Sequence, residues 1–384
     1  MRVAIVHDWL TGTRGGERVL EGMLDVFPDA EIFTLFHRRG SVSARIEARP
    51  IHTSFLQPFA GESYRRLLPL FPLALEQLRP RGCDLVLSSS HCVAKSVRAQ
   101  GAPHLCYCHT PMRYAWGELD AYLTGRRALL RLPAAPLAAA LRRWDSATAS
   151  RVDAFVANSA NVRERVRRCY GRQAAVVHPP VELARFGAPR QPEDFYLVLG
   201  ALVPYKRVDL AIAACARLRR RLVIAGDGPE LTRLRRLAGG HVTFLGRVPD
   251  DEAALLLARC RALLFPGADD FGITPVEAHA AGAPLIARGA GGALETVSGP
   301  LVTRAGFVRP ARGPATGVLF EAGHADALAA AIRHFETLRF DEGVLRASAA
   351  RFGVERFRAA LQGEVDRLLG TAAPPRAPAL AVAG

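Results

Sequence analysis

Short apolar runs alternate with amphipathic stretches along this chain, and the whole alternation occurs twice. The first series opens with "RVAIVHDWL" as a strand, "TGTRGGERVLEGMLDVF" as a glycine turn and helix, and "AEIFTLF" as a strand. A proline- and aromatic-rich helical zone follows from His52 to Leu78, then "CDLVLSSS" and "PHLCYCHT" as buried strands. A helical zone from Arg126 to Ser150, the strand "DAFVANS", the helix "NVRERVRRCY" and the strand "AAVVHPPV" complete the series. "ELARFGAPRQPED" has the composition of a linker. Beyond it "FYLVLG", "RLVIAGDGPE", "VTFLG", "ALLFP", "PLIA" and "GVLF" read as strands, with "VDLAIAACARL" and "EAALLLARC" among the helices between them. Strands that alternate with helices form parallel sheets, because only a crossover returns the chain to the same edge. The pattern predicts an α/β protein of two doubly wound domains facing across a cleft, over 1–186 and 187–369, with 370–384 as a disordered tail. Ligands in such domains sit beyond the C-terminal ends of the strands, so the turns after strands carry the functional question.

The bulk properties agree. The 384 residues suit two domains, and 49% hydrophobic content supports packed cores. No apolar run reaches the ~18 residues of a spanning helix. The chain starts directly on a strand pattern without a secretory signal, which predicts a cytoplasmic protein, soluble or peripheral on the inner face of the cytoplasmic membrane. Seven cysteines without repeated spacing argue against a disulfide framework. Net charge is +15 and uneven: residues 1–190 hold 27 Arg/Lys against 16 Asp/Glu. A basic N-terminal half favours an anionic partner such as phospholipid or a phosphorylated substrate. No DNA- or RNA-binding signature accompanies it, so nucleic acid is not expected. Lys95 and Lys206 are the only lysines beside 49 arginines. A lysine kept in such a sequence marks a place needing a compact ammonium group, with chance survival as the competing explanation.

Several stretches carry candidate chemistry. "HDWLTGTRGGERV" lacks G-x-G-x-x-G spacing, which argues against a nicotinamide or flavin site. Gly15 and Gly16 open a helix, where a phosphate can approach backbone N–H groups; an ordinary tight turn fits equally well. Gly228 in "AGDGPE" admits the same two readings. "HLCYCHTP" aligns His104, Cys106, Cys108 and His109, but alternate strand residues lie roughly 6.5 Å apart, too far for a tetrahedral zinc with bonds of about 2.3 Å. A metal site is the less favoured reading of this stretch, and the cysteines read more simply as buried apolar residues. His109 ends its strand at the edge where cleft residues sit. Lys206 and Arg207 lie between a strand and a helix, where two cations can hold a diphosphate. In "FPGADDFGITPVEAHAAG", Thr274, Pro275 and Glu277 have the spacing of a capping box, with Gly282 ending the helix. The kinase reading of Asp-Phe-Gly fails without the other kinase motifs.

Taken together, "HDWLTGTRGGERV", "DLVLSSSHCVAKSV", "CYCHTPMRYAW", "FVANSANVRERV", "VVHPPVE", "LVPYKRVDLAI", "AGDGPE", "VTFLGRV" and "DDFGITPVEAHAAGAPLIA" resemble a retaining glycosyltransferase of the GT-B architecture, family 4. Within it the chain is most similar to bacterial mannosyltransferases of polysaccharide and O-antigen assembly. The resemblance covers about Arg2 to Leu369 and implies two Rossmann-like domains, an N-terminal one for the acceptor and a C-terminal one for the nucleotide-sugar. It implies that Asp269 and Glu277 are the two-carboxylate motif, the first reaching donor-sugar hydroxyls and the second the ribose. Backbone amides of Phe271, Gly272 and Ile273 would face the sugar and diphosphate, Lys206 and Arg207 would neutralise the diphosphate, and Gly16 would approach it from the other domain. His109 would lie near the reacting sugar, and Gly246, Arg247 and Val248 near the base. Asp269 departs from the usual glutamate, and Ala201 from a common arginine. The implied reaction moves a hexose, with mannose from GDP-mannose favoured over a UDP-sugar, onto a lipid-linked glycan without cofactor or obligate metal. A sugar-nucleotide epimerase and a membrane- or nucleic-acid-binding protein without turnover are the competing classes. "YRRLLPLFPLALEQL" and "RRALLRLPAAPLAAALRRW" read either as an anionic-membrane surface or as core helices with solvated faces.

Overall fold

A computed structural model of the chain describes residues 1–61, 64–116, 131–303, 305–311, 313–321 and 323–371. Among these residues the strands form two sheets. The first runs in the order β3-β2-β1-β4-β5-β6-β7, with β1 Val3–His7, β2 Glu31–Thr34, β3 Ile51–Thr53, β4 Leu85–Ser90, β5 His104–Cys108, β6 Ala154–Ala157 and β7 Ala174–Val176. The second runs β10-β9-β8-β11-β12-β15-β13-β14, with β8 Tyr196–Leu199, β9 Leu222–Ala225, β10 Val242–Gly246, β11 Ala262–Phe265, β12 Leu285–Arg288, β13 Leu301–Val302, β14 Val308–Arg309 and β15 Gly317–Phe320. All pairings are parallel except β13 with β14. Each sheet starts in its middle and winds outward both ways, the doubly wound topology.

Alternate residues of the central strands enter different cores, as a sheet covered on both faces requires. Ile5 and Leu87 join one cluster of the first domain, and Val6 and Val86 the other. Val198 and Leu264 join one cluster of the second domain, and Leu197 and Phe265 the other. Local signals start and stop helices as their chemistry dictates. Helix Ala160–Tyr170 begins where the Ser159 hydroxyl accepts the Val162 N–H at 3.1 Å and ends at Gly171, φ +65°.

Two features depart from the sequence reading. The last helix, Val354–Leu369, falls within the expected second domain, yet Phe357, Leu361 and Val365 fill the core of the first sheet. Its Phe357 ring lies over Gly22, where any Cβ would come within 2.7 Å. The second departure is the capping box. Helix Ile273–Ala280 is capped by Gly272 at φ +86°, so Thr274 and Pro275 are its second and third residues and Glu277 its fifth. Gly272 turns the chain into the helix earlier than a threonine cap would, and Glu277 is left free of capping. The tail from 372 onward and the stretch 117–130, which holds the start of the expected Arg126–Ser150 helix, lie outside the described residues.

Candidate active site

The C-terminal edge of the second sheet gathers the expected donor residues. Lys206 follows β8 and Asp269 follows β11, and these strands are neighbours. Their loops touch through glycine: a Cβ at Gly267 would lie 2.7 Å from the Lys206 Cα, and one at Gly200 would lie 3.1 Å from its Nζ. The result places Lys206 Nζ 3.3 Å from Asp269 Oδ2, with the side chains 19% and 14% exposed. Burial works against the ammonium, but Asp269 beside it holds the Lys206 pKa above its ordinary value. Asp269 Oδ1 is buried without a hydrogen-bond partner. Burial raises the Glu277 pKa, opposed by Arg18 and Arg185; Arg185 approaches its carboxylate to 4.0 Å. Asp269 and Glu277 thus differ in character: the first is paired with a cation, the second desolvated beside two.

The first sheet presents its own C-terminal edge. His109 follows β5, its Nε2 2.8 Å from the Ser89 hydroxyl, which lies 3.0 Å from His7 Nδ1. Burial, then the neighbouring His91 and His7, hold the His109 imidazole well below the usual histidine range. Asp8 accepts the backbone N–H groups of His91, Cys92, Val93 and Ala94 and fixes the loop after β4. Gly15 and Gly16 begin helix Gly15–Val26. A Cβ on Gly15 would lie 3.0 Å from Ile273 Cδ1 of the other domain, so the glycine turn meets the start of helix Ile273–Ala280. The His104-Cys106-Cys108 row is structural: His104 spends its two ring nitrogens on Ser88 and the Arg151 carbonyl, and burial pushes the Cys106 thiol up to about 12.

Other expected residues are placed differently. Arg207 does not reach Asp269; its guanidinium lies on Asp209 at 3.1 Å. Gly228 is required by packing, since a Cβ there would meet the Leu202 carbonyl at 2.4 Å. Arg247 is exposed and Val248 packs on the second-domain core, both following β10 at the same sheet edge. Phe271 is buried against His178 and Phe352, so its backbone rather than its ring is left to serve the cleft.

The residue that sequence reasoning missed is Asp270. Its carboxylate receives Arg113 at 2.5 Å, Arg165 at 2.6 Å and Asn161 at 3.3 Å, and its carbonyl accepts the Ser159 hydroxyl at 2.7 Å. All four partners belong to the first domain. Nearby, Glu295 of the second domain accepts the Ala160 and Asn161 N–H groups at the start of helix Ala160–Tyr170. Two carboxylates of the second domain thereby fasten it to the first.

Comparison with known proteins identifies the family. Residues 13–185 match the family model described as glycosyltransferase family 4, and residues 182–351 the model described as glycosyl transferases group 1. A GDP-mannose-dependent alpha-(1-6)-phosphatidylinositol dimannoside mannosyltransferase of Mycobacterium tuberculosis is 30% identical over 284 residues, 68% of this chain and 69% of that protein. The chain belongs to the family 4 glycosyltransferases. A GDP-mannose-dependent alpha-(1-6)-phosphatidylinositol monomannoside mannosyltransferase of the same organism is 37% identical over 176 residues, 40% of this chain; the match spans less than half, 46%, of that relative. Anabaena HepE, solved with UDP-glucose, shares the fold at a TM-score of 0.69 and 17% identity, over 96% of this chain and 100% of that one.

In this member of the family 4 glycosyltransferases, the edge of the second sheet pairs Lys206 with Asp269 and sets Glu277 beside Arg185. Among the described residues no group of three or more His, Cys, Asp or Glu is placed to hold a metal ion. No described helix is long and apolar enough to cross a membrane.

Proposed function

We propose that the protein transfers a hexose, mannose from GDP-mannose, onto a lipid-linked glycan or polysaccharide precursor with retention of configuration. The observation that carries this reading is the Lys206–Asp269 pair at the edge of the second sheet, 3.3 Å apart, in the domain whose helix start at Ile273 meets the glycine turn of the first domain. Breaking an anomeric bond leaves a diphosphate with growing negative charge. A buried ammonium and the amides of Gly272 and Ile273 at a helix start stabilise that charge more in the transition state than in the ground state. Asp269, with one carboxylate oxygen unpartnered, is suited to accept sugar hydroxyls, and Glu277, released from helix capping, to accept ribose hydroxyls. The names of the two mannosyltransferase relatives support GDP-mannose and a lipid-borne acceptor.

A membrane-facing acceptor domain fits its surface. Phe55, Phe59, Leu70 and Leu73 are exposed within one segment that also exposes Arg66, while Phe71, Ala74 and Leu75 of the same segment are buried. Apolar anchors beside arginine suit an anionic lipid surface.

The test is a donor screen that follows nucleoside diphosphate release in the presence of lipid-linked acceptors. The expected result is acceptor-dependent GDP release from GDP-mannose, lost in Lys206→Ala and Glu277→Gln. UDP release from UDP-hexoses would replace the donor assignment, and acceptor-independent donor turnover would point to an epimerase. Full activity in both variants would overturn the site.

A further inference from the structure

The stretch "DLVLSSSHCVAKSV" carries a histidine that the donor site leaves unused. His91 follows β4, and His109 follows the neighbouring β5. Asp8 follows β1, on the other side of β4, and holds His91 twice. Its Oδ2 accepts the His91 backbone N–H at 2.6 Å and lies 3.1 Å from the ring Nδ1. The same carboxylate is fully buried and accepts the N–H groups of Cys92, Val93 and Ala94. The Trp9 ring meets the imidazole edge-on, with centroids 4.4 Å apart, and fixes its plane.

These contacts decide what the ring offers. Asp8 acts as acceptor toward every group it touches, so the ring nitrogen facing it carries the proton. Nε2 then keeps its lone pair. Nε2 has no partner among the described residues, and the side chain is 29% exposed. Burial holds the His91 pKa below the ordinary histidine value of 6.5, opposed by the charge of Asp8. The ring is therefore neutral at pH 7. A neutral nitrogen with a free lone pair suits a hydroxyl, which brings its own hydrogen. It does not suit a phosphate oxygen, which needs a donor. The neighbouring histidines are spent on each other: His109 Nε2 and His7 Nδ1 both lie on the Ser89 hydroxyl. With its ring centroid 6.2 Å from that of His109, His91 sets a free acceptor at the C-terminal edge of the first sheet.

We infer that His91 is an acceptor-binding residue, whose Nε2 accepts a hydrogen bond from a hydroxyl of the acceptor sugar. This rests on the reading that the first domain takes the acceptor and the second the donor. The hydroxyl held is a neighbour of the attacking one, so the contact orients the acceptor and no proton moves to His91. The two sheets then divide the recognition. Lys206 and the helix start at Ile273 meet phosphate, and the ring that Asp8 and Trp9 fix meets sugar.

Steady-state kinetics of the full chain tests this, with GDP-mannose as donor and octyl α-mannoside, a sugar on an apolar tail, as acceptor. The monodeoxy analogues of that mannoside are the second probe. His91→Phe keeps a ring against Trp9 but has no lone pair. It should lower kcat/KM for octyl mannoside by about 3–10-fold, the worth of one neutral hydrogen bond, and leave GDP affinity in calorimetry unchanged. His91→Gln restores an acceptor oxygen and should recover part of the loss. One monodeoxy mannoside should lose a similar factor in the wild type and nothing further in His91→Phe. Wild-type kcat/KM in His91→Phe, or a deoxy effect that persists in full there, overturns the inference. So does a raised KM for GDP-mannose with the acceptor KM unchanged, which would place His91 on the donor. A wild type that transfers nothing to octyl mannoside removes the sugar acceptor the inference assumes and overturns it too. Unchanged GDP affinity in Lys206→Ala would instead break the donor reading, whatever the deoxy series shows for His91.

Discussion

The two lysines of this chain form the same ion pair in two different settings. Lys95 is 1% exposed and lies 3.0 Å from Asp145 Oδ1 inside the first domain. Its ammonium also donates to the Asp145 carbonyl, Thr148 and Ser96, while Asp145 Oδ2 accepts from the Trp116 indole at 2.7 Å and the Tyr170 hydroxyl at 2.9 Å. Lys206 lies 3.3 Å from Asp269 at a sheet edge, where Asp269 Oδ1 has no partner and glycine clears the space around the ammonium. The first pair is enclosed by surrounding donors and acceptors, with Asp145 Oδ1 facing only the Lys95 ammonium. The second leaves hydrogen-bonding capacity at the mouth of a cleft. A buried ion pair costs desolvation, and a fold tolerates it only when its bonds are satisfied or when a ligand uses them. Both lysines set a compact charge into a small site, in two different surroundings.

Breaking the closed pair has the largest expected effect. Lys95→Ala leaves Asp145 buried and uncompensated, and should cost about 3–5 kcal/mol in denaturant unfolding. Lys95→Arg should not restore it, because a planar fork does not fit a site built for a point charge. Activity per folded molecule should stay at the wild-type level in both variants. Loss of donor binding in a folded Lys95 variant would erase the contrast with Lys206.

Breaking the open pair reverses the pattern. Lys206→Ala should lower kcat/KM by about 10²–10³-fold, the scale seen when one transition-state donor is removed. It should cost less stability than Lys95→Ala, because Lys206 and Asp269 keep part of their side chains in solvent. Steady-state kinetics beside a denaturation curve reads both quantities.

The residues behind these two predictions differ in how far sequence reveals them. The double alternation of strands and helices is local, so both sheets and the edge positions of His109 and Lys206 could be read from it, while Asp269 and Glu277 are marked by the resemblance of their motif. Asp270 could not. Its partners Arg113 and Arg165 lie 157 and 105 residues away, and nothing local says that the loop after β11 will meet them. The stripe Phe357, Leu361, Val365 announces an amphipathic helix but not which sheet it will cover. The helix at 273 starts early because Gly272 turns at positive φ and takes the cap position that the threonine pattern assigns to Thr274. In each case tertiary packing chose among options that local chemistry left open.

Glu277 sharpens the comparison through pH. Burial raises its pKa above the ordinary carboxylate value of 4.5. The folded state therefore holds this proton more tightly than the unfolded state. The resulting stability is fully present below the ordinary value and is lost as pH rises through the raised folded value. Glu277→Gln keeps a neutral side chain throughout, so its stability relative to wild type should increase across that window. A pH series of unfolding midpoints with ligand-free protein measures it. Parallel curves for the two proteins would mean that Arg18 and Arg185 already offset the burial completely.

The smallest effect is expected at Asp269 itself, where the chain is one methylene shorter than the usual glutamate. Asp269→Glu keeps the charge that holds Lys206 and extends the carboxylate farther into the cleft. If the short side chain reaches the sugar through a bridging water, the longer one displaces that water and makes the contact directly. Such exchanges are nearly even in free energy, so activity should change by less than about tenfold. Asp269→Asn provides the contrast, because it removes the charge opposite Lys206 while keeping the shape. The ammonium then loses the partner that raises its pKa, and binding of the diphosphate should tighten while kcat falls, since the sugar hydroxyls lose a carboxylate acceptor. A variant in which kcat and diphosphate affinity fall together would place Asp269 on the phosphate side of the site rather than the sugar side.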